Sequence, residues 1–299
     1  MKILITGSNG LLGQKLVAAL RNDTEVEFVA TSRGPDRTPD PLHDRYIPMD
    51  ITVSSEVDAV LQKERPDAVI HTAAMTNVDA CELDPSACTQ QNVGATENLV
   101  RASERVGSHF IHLSTDFIFD GKDGPYSEED MPAPLSIYGH SKLQSEELVK
   151  QSKLAKWAIA RTIIVYGVAD GLSRSNVVLW AKSALEKGQP ITVVDDQWRM
   201  PTLAEDLADG CIRIAKQGAT GTYHLSGPDG MSILELVQRV GNFFKLDTSV
   251  VEPIKSVTLG QPAKRPPRTG FVLDKARKEL GYAPRGFEAG LQVLKEQLG

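Results

Sequence analysis

Near its start the chain reads Ile3-Leu4-Ile5-Thr6-Gly7-Ser8-Asn9-Gly10-Leu11-Leu12-Gly13, an apolar run followed by three spaced glycines. The helical pattern of residues 14–20 comes directly afterwards. In this order, Gly7 permits a tight turn, Gly10 lets the backbone approach a phosphate, and Gly13 lets a helix pack near the strand. The helix N-terminus then offers free N–H groups and the positive end of its dipole to a pyrophosphate. The stretch therefore predicts dinucleotide binding, with contacts from Gly7, Asn9, Gly10, Leu11, Leu12 and Gly13.

Further apolar runs predict buried strands at 28–33, 45–48, 68–71, 109–113 and 158–162. Helical patterns separate several of them, and strands that alternate with helices form parallel sheets. We therefore expect an α/β fold, a Rossmann-type doubly wound parallel sheet. The predicted helix at 203–215 returns to this part of the chain, followed by a strand at 221–225.

The end of the second strand bears on the choice of cofactor. Ser32 and Arg33 stand where an acidic residue would hold the ribose 2′-hydroxyl of NAD(H), and an arginine suits a 2′-phosphate. We therefore predict NADP(H), with NAD(H) left open and a solvated loop as the other interpretation of Arg33. The small residues Ala73 and Ala74 after the fourth strand suit a backbone that lies against the cofactor, whereas His71 is interpreted as a packed strand residue.

Composition narrows the class of protein. The 299 residues carry 33 Lys+Arg and 39 Asp+Glu, a net charge of −6, which does not indicate a nucleic-acid or membrane partner. The three cysteines form no C-x-x-C pair, and we predict no metal site. Because strand-forming residues begin at Met1 and no apolar run is long enough to span a membrane, we expect neither a signal peptide nor a membrane segment, and a cytoplasmic location.

The segment Tyr138-Gly139-His140-Ser141-Lys142 supplies the candidate chemistry. Residues four apart share one face of a helix, and a cationic neighbour lowers the pKa of a phenol, so that it can exchange protons near neutrality. Thr115 follows the strand at 109–113, at the carboxyl edge where active sites of such sheets lie. The alternative is a surface helix that happens to carry both residues.

Several motifs together resemble the dTDP-4-dehydrorhamnose reductase family, in the extended branch of the short-chain dehydrogenases/reductases. They fall in order along nearly the whole chain: Ala73-Ala74-Met75-Thr76-Asn77-Val78-Asp79, Ser114-Thr115-Asp116-Phe117-Ile118-Phe119-Asp120-Gly121, Tyr138-Gly139-His140-Ser141-Lys142, Asp196-Gln197 with Pro201-Thr202, and Arg265-Pro266. The resemblance implies hydride transfer from NADPH to C4 of a dTDP-4-keto-6-deoxy sugar. It implies that Tyr138 donates a proton, that Lys142 lowers the pKa of Tyr138 and holds the nicotinamide ribose, and that Thr115 bonds the sugar oxygen.

The same resemblance implies further contacts and a division into two parts. Asp50 and Ile51 would border the adenine, and the substrate would be bound by Thr76, Asp79, Asp116, Phe117, Gln197, Trp198 and Arg265. Arginine can bind a diphosphate with two hydrogen bonds, although a basic surface loop is the other interpretation of Arg265. A core position is the other interpretation of Trp198. Residues 1–165 would form the NADP(H)-binding domain, with 201–226 returning to it. Residues 166–200 and 227–299 would form a smaller substrate-binding lobe.

Two segments depart from the family pattern near the expected sugar. Many members have Arg-Thr-Ser-Trp-Val-Tyr where this chain has Ile163 and Ile164 in the middle positions, and Val-Asp-Lys-Ala-Glu where it has Ala80 and Cys81. The exact sugar nucleotide therefore stays open, as does a homodimer. Two other functions also stay open: a non-catalytic NADP-binding regulatory protein, like the methionine adenosyltransferase regulatory subunit, and another sugar-nucleotide reductase or epimerase.

Overall fold

The computed structural model describes residues 1–38, 40–172 and 175–299. The strands, in chain order, are β1 Lys2–Thr6, β2 Glu27–Ser32, β3 Tyr46–Pro48, β4 Ala68–His71, β5 His109–Thr115, β6 Trp157–Thr162, β7 Val165–Tyr166, β8 Ile191–Val194, β9 Trp198–Arg199, β10 Thr202–Leu203, β11 Gly221–His224, β12 Met231–Ser232 and β13 Val251–Ile254. The α-helices are α1 Leu11–Arg21, α2 Ser54–Glu64, α3 Val78–Leu83, α4 Pro85–Thr89, α5 Ala95–Val106, α6 Ile137–Gln151, α7 Val177–Glu186, α8 Ala204–Gln217, α9 Ile233–Phe244, α10 Asp274–Leu280 and α11 Phe287–Leu298. A π-helical turn, Gln90–Gly94, joins α4 to α5, and a 3₁₀ turn, Asp116–Ile118, follows β5.

The central sheet is parallel throughout and has the strand order β11-β6-β5-β4-β1-β2-β3. The order reverses direction between β1 and β4, and ligands of open α/β sheets bind outside the carboxyl ends of the strands at such a point. The predicted fold class, a Rossmann-type doubly wound sheet, is confirmed.

The sheet is covered on both faces. Ile3 and Ile5 of β1 belong to a hydrophobic cluster with α1 and α8, whereas Leu4 packs in a second cluster with α2 and α5. Successive side chains of a strand point to opposite faces, so the apolar run Ile3-Leu4-Ile5 fills both layers. The first strand therefore lies at the centre of the core.

A third hydrophobic cluster lies in the C-terminal part and joins α7, α9 and α11. The short parallel pair β8 and β13 contributes Val193 and packs against α9. Tyr282 and Leu280, by contrast, pack in the cluster of the central sheet, although the sequence placed 227–299 wholly in the smaller lobe. The division into two domains stays a proposal, and α10 lies with the sheet.

Candidate active site

The glycine turn after β1 is built for close backbone approach. Gly7 has a positive φ of 71°, and a Cβ there would lie 2.8 Å from the amide nitrogen of Ala73. A Cβ on Gly13 would lie 2.2 Å from the carbonyl oxygen of Gly7, so α1 packs directly on the turn. Among the described residues, no side chain caps the N-terminus of α1 and no acid lies in its first turn. The predicted phosphate cradle thus has free N–H groups and an uncompensated positive dipole end.

The other predicted residues of this turn have distinct environments. Asn9 is buried, donates to the carbonyl of Pro35 and accepts from the amide of Arg37, so its side chain fixes the loop after β2. Leu11 and Leu12 are half-buried in the first turn of α1. Ala73 and Ala74 are half-buried at the end of β4, beside the turn.

The carboxyl end of β2 carries the residues expected to read the adenosine ribose. Ser32 is half-buried, and Arg33 is exposed. Hydrogen bonds from Thr52 hold the pKa of Asp50 below its usual value, and the Arg33 cation adds to that shift. Ile51 is half-buried and its carbonyl accepts from Asn98.

Arg37 is a second exposed cation in this region that the sequence did not single out. Its amide is held by Asn9, so it lies in the loop that borders the glycine turn.

Thr115, Tyr138 and Lys142 come together where β5 meets α6. Ser136 caps α6, and the first two turns of the helix place Tyr138 and Lys142 one turn apart, both buried. Gly139 allows this packing, because a Cβ there would lie 2.3 Å from the carbonyl oxygen of Phe117. The Thr115 hydroxyl lies beside the phenol of Tyr138 and favours its ionised form, which lowers the pKa of that phenol.

The pKa of Tyr138 shifts in the direction opposite to the one expected from a Tyr–Lys pair. Burial raises the pKa of the phenol, and the neighbouring Thr115 hydroxyl opposes this only in part. The pKa of Tyr138 is thus raised where the sequence predicted a lowered one, and Lys142 Nζ lies 3.2 Å from His112 Nε2. Desolvation lowers the pKa of Lys142 to about 8.

Asp116 is enclosed in a buried polar cluster. Its carboxylate accepts from Thr115 Oγ1 at 3.1 Å and from Thr269 Oγ1, and Arg199 Nε lies 3.7 Å away. Arg199 is equally buried, and its guanidinium lies 5.8 Å from the centre of the Phe117 ring. The cluster thus joins Thr115 to β9 and to the loop before α10.

Two predicted substrate residues bind each other. Arg265 donates to both carboxylate oxygens of Asp79, at 2.7 and 3.1 Å, in a partly exposed ion pair. This pair fastens the loop that precedes α10 to helix α3.

The remaining predicted substrate residues lie around this loop. Trp198 is 41% exposed, and the Arg268 guanidinium lies 5.8 Å from the centre of its ring. Gln197 is buried, whereas Thr76 is exposed in the segment between β4 and α3. Phe117 is half-buried and packs edge-on against Tyr138 with 5.8 Å between ring centres.

Sequence reasoning missed three contributors to the site: His112, Arg199 and Thr269. His112 precedes Ser114-Thr115 by two positions and Arg199 follows Trp198, so each stands beside a motif that was recognised. Thr269 carries no comparable signal, because its partner Asp116 is 153 positions away.

Within 1–38, 40–172 and 175–299, no group of three or more His, Cys, Asp or Glu side chains is placed to hold a metal ion. Within the same ranges, no helix is long and apolar enough to cross a membrane.

Comparison with known proteins places the chain in a family. The family model described as RmlD substrate binding domain matches residues 1–298. A probable low-salt glycan biosynthesis reductase, Agl14, of Haloferax volcanii is 32% identical over 298 residues, which cover 99% of this chain and 97% of that protein. The methionine adenosyltransferase 2 subunit beta of Rattus norvegicus is 31% identical over 290 residues, or 95% of this chain and 84% of that protein.

A solved structure agrees with both the fold and the family. The dTDP-4-dehydrorhamnose reductase of Bacillus anthracis in complex with NADP superposes with a TM-score of 0.87 at 28% identity, covering 99% of each chain. The family resemblance predicted from the motifs is confirmed, and so is the class of enzyme, an oxidoreductase. This chain therefore belongs to the RmlD substrate binding domain family, within the extended short-chain dehydrogenases/reductases.

Proposed function

We propose that this protein uses NADPH to reduce the 4-keto group of a dTDP-4-keto-6-deoxy sugar, the reaction of a dTDP-4-dehydrorhamnose reductase. The observation that carries the proposal is the grouping of Thr115, Tyr138 and Lys142 at the carboxyl end of β5. A protein that only bound the cofactor would not need this whole set. The similar Bacillus anthracis reductase adds support through its name and its bound NADP.

The described residues suit a nicotinamide dinucleotide. Gly7, Gly10 and Gly13 let the turn after β1 pack tightly, because a Cβ on each would lie within 3.2 Å of neighbouring backbone, and the N-terminus of α1 begins at this turn without a capping side chain. Arg33, with Arg37 in the same loop, supplies the cation for a 2′-phosphate, so NADP(H) is preferred and NAD(H) binds less tightly. Bound in this cradle, the reduced cofactor would supply the hydride.

Tyr138 donates the proton that the developing sugar alkoxide needs. Reduction requires a phenol that starts protonated, and burial keeps it so at neutral pH. Thr115 would turn its hydroxyl proton from Asp116 to the same sugar oxygen, and Lys142 would hold the nicotinamide ribose with its ammonium. Asp116 accepts from Thr115 and Thr269 within a buried cluster, so its role is to orient the Thr115 hydroxyl and not to contact the sugar directly.

The sugar nucleotide would lie between the segment after β4 and the loop before α10. Arg265 is the candidate for the diphosphate, because its guanidinium presents two parallel N–H donors that suit an anion with two oxygens. In this structure the Asp79 carboxylate accepts from both donors, and a bound diphosphate would take its place. Trp198 offers an exposed ring to the base or sugar.

We extend the proposal to the two-lobe division and, since Cys81, Cys88 and Cys211 are free thiols, to a cytoplasmic location. A homodimer is compatible with it.

The direct test follows NADPH absorbance in the presence of dTDP-4-keto-6-deoxy-L-lyxo-hexose. Oxidation that depends on the sugar nucleotide is expected, with UDP-linked and GDP-linked 4-keto sugars as controls for the nucleotide. If only a UDP-linked or GDP-linked sugar were reduced, the proposed reaction would stand but the proposed substrate would be wrong. The protein would then be another sugar-nucleotide reductase or epimerase.

The second candidate is a non-catalytic NADP-binding regulatory subunit. It is favoured by the 31% identity to methionine adenosyltransferase 2 subunit beta. Tight NADPH binding without oxidation by any 4-keto sugar nucleotide, together with a changed activity of a methionine adenosyltransferase on mixing, would establish this function instead.

A further inference from the structure

A buried histidine lies beneath the Tyr138–Lys142 face of α6. His112 is on β5, three positions before Thr115, and is completely enclosed. Its Nε2 lies 3.2 Å from Lys142 Nζ. Both residues are enclosed in the core, so water does not replace this contact.

The protonation state of His112 follows from its surroundings. Burial, followed by the Lys142 cation and His71, lowers the pKa of His112 well below that of a free imidazole. The ring is therefore neutral, and its Nε2 lone pair can accept a hydrogen bond from an ammonium. Nδ1 then carries the ring proton and has no hydrogen-bond partner among the described residues.

His71 on β4 does not compete for this role. The Thr96 hydroxyl donates its proton to the carbonyl of Asn92, so its oxygen accepts from His71 Nε2 at 3.4 Å. His71 Nδ1 therefore accepts from Thr6 Oγ1 at 2.8 Å. Both nitrogens of His71 are satisfied locally, and only its ring, 5.4 Å from that of His112 between centres, adjoins the pair.

Two other titratable groups influence the pKa of Lys142. Glu146 on α6 and Cys88 on α4 favour its charged form, whereas desolvation favours its neutral form and brings its pKa to about 8. The hydrogen bond from the Lys142 ammonium to His112 also favours the charged form of Lys142, as Glu146 and Cys88 do.

We propose that His112 is a positioning residue for Lys142: its neutral imidazole accepts a hydrogen bond from the ammonium, keeps the amine charged, and fixes its place on the face of α6 that also carries Tyr138. This role depends on the proposed reductase function only for its catalytic consequence. The hydrogen bond itself can be tested without any substrate.

The first test is a pH titration of the intact protein with ¹⁵N-labelled histidine, followed by NMR. The Nε2 resonance of His112 is expected to show an acceptor nitrogen and to move as Lys142 loses its proton, near pH 8. The same resonance should stop moving in Lys142→Met. A His112 signal that does not titrate, or that titrates equally in Lys142→Met, would overturn the proposal whether or not the protein is a reductase.

The second test compares His112→Leu, which removes the acceptor, with His112→Gln, whose amide oxygen can replace it. The alkaline limb of kcat/KM should move to lower pH by about one unit or more in His112→Leu, and His112→Gln should restore it. His109→Leu is the matched control, a buried histidine of the same strand whose pKa responds to burial, to Lys156 and to the backbone of Ala219, and not to Lys142. An unmoved limb in folded His112→Leu, or equal damage from Leu and Gln, would contradict the assignment.

Discussion

Tyr138 and Lys142 lie one helical turn apart in α6, and both are almost completely buried. Burial keeps the Tyr138 phenol protonated and makes the Lys142 ammonium easier to deprotonate. Desolvation is therefore the largest influence on the pKa of both groups. This arrangement suits a proton donor in reduction.

Removing the proton donor should abolish most turnover. Tyr138→Phe keeps the buried ring but loses the hydroxyl, so we expect kcat to fall by about 10²–10⁴-fold with an unchanged dissociation constant for NADPH. Steady-state kinetics and NADPH fluorescence measure the two quantities. Tyr223→Phe is the control, since that hydroxyl bonds Glu279 near the edge strand β11. Near-normal turnover of Tyr138→Phe would exclude Tyr138 from the mechanism.

The pH dependence of kcat/KM should report Lys142. Below pH 8 its ammonium is present, and it is lost as the pH rises through the lowered pKa of about 8. We therefore expect kcat/KM to decline on the alkaline side from about pH 8, well before an unperturbed lysine would titrate. A profile measured with Lys142→Met should lack this limb; its persistence would assign the limb to another group.

Some single residues could be predicted from sequence and others could not. Tyr138 and Lys142 are four apart and Gly7, Gly10 and Gly13 share one turn, so local spacing reveals their geometry. The Lys142–His112 contact depends on how α6 lies over β5, and no spacing in the sequence encodes that. The reversed pKa shift of Tyr138 was missed for the same reason, because burial is a property of the packed molecule.

At the level of elements, glycines determine how closely the site's segments approach. Gly13 brings α1 onto the β1 turn, and Gly139 brings α6 onto the turn that follows β5. Gly121, with a φ of 80°, packs against Pro266 and Pro267 and so joins the β5–α6 loop to the loop before α10. The close approach at Gly13 was predicted from its motif, whereas Gly121 joins segments that lie about half the chain apart in sequence.

Adding one methyl group at Gly13 should separate α1 from its turn. In Gly13→Ala, the new Cβ would overlap the carbonyl of Gly7, so we expect at least about a tenfold loss of NADPH affinity and a destabilisation of roughly 1–3 kcal/mol. Gly94→Ala is the matched helical control, because a Cβ there meets no atom within 4 Å among the described residues. Isothermal titration and urea unfolding measure both effects; equal behaviour of the two variants would contradict this account of the turn.

The ion pair between Asp79 and Arg265 gives a separate prediction for substrate binding. Arg265→Ala removes the donor fork proposed for the diphosphate, so KM for the sugar nucleotide should rise by about tenfold or more while the NADPH dissociation constant stays unchanged. Arg268→Ala tests whether charge in the same loop is enough. If both variants raise KM equally, the loop acts through its charge and not through the fork of Arg265.

Over the whole molecule, buried neutral histidines connect stability to pH. His71 and His109 have pKa values lowered by burial to about 3 and about 4, and burial also holds those of His112 and His224 well below 6.5. The unfolded chain binds protons below pH 6.5 that the folded chain does not. Their contribution to stability is therefore complete above that pH and is lost as the pH falls towards the folded values.

Acid should destabilise the protein well above the range in which carboxylates titrate. Each of these histidines is expected to lower the free energy of unfolding by about 1.4 kcal/mol per pH unit below about pH 6. Urea unfolding at a series of pH values measures the slope, which His109→Leu should reduce by about one proton. His140→Leu, an exposed position, is the control. Stability that does not change between about pH 7 and pH 5 would contradict the assignment of neutral buried rings.

We propose that this protein transfers a hydride from NADPH to C4 of a dTDP-linked sugar. The most direct measurement uses NADPH deuterated at the transferable position of the nicotinamide, with dTDP-4-keto-6-deoxy-L-lyxo-hexose as substrate and NMR of the product. The account predicts deuterium at C4 of the reduced sugar. A sugar recovered without deuterium, while the protein binds NADPH tightly, would contradict it.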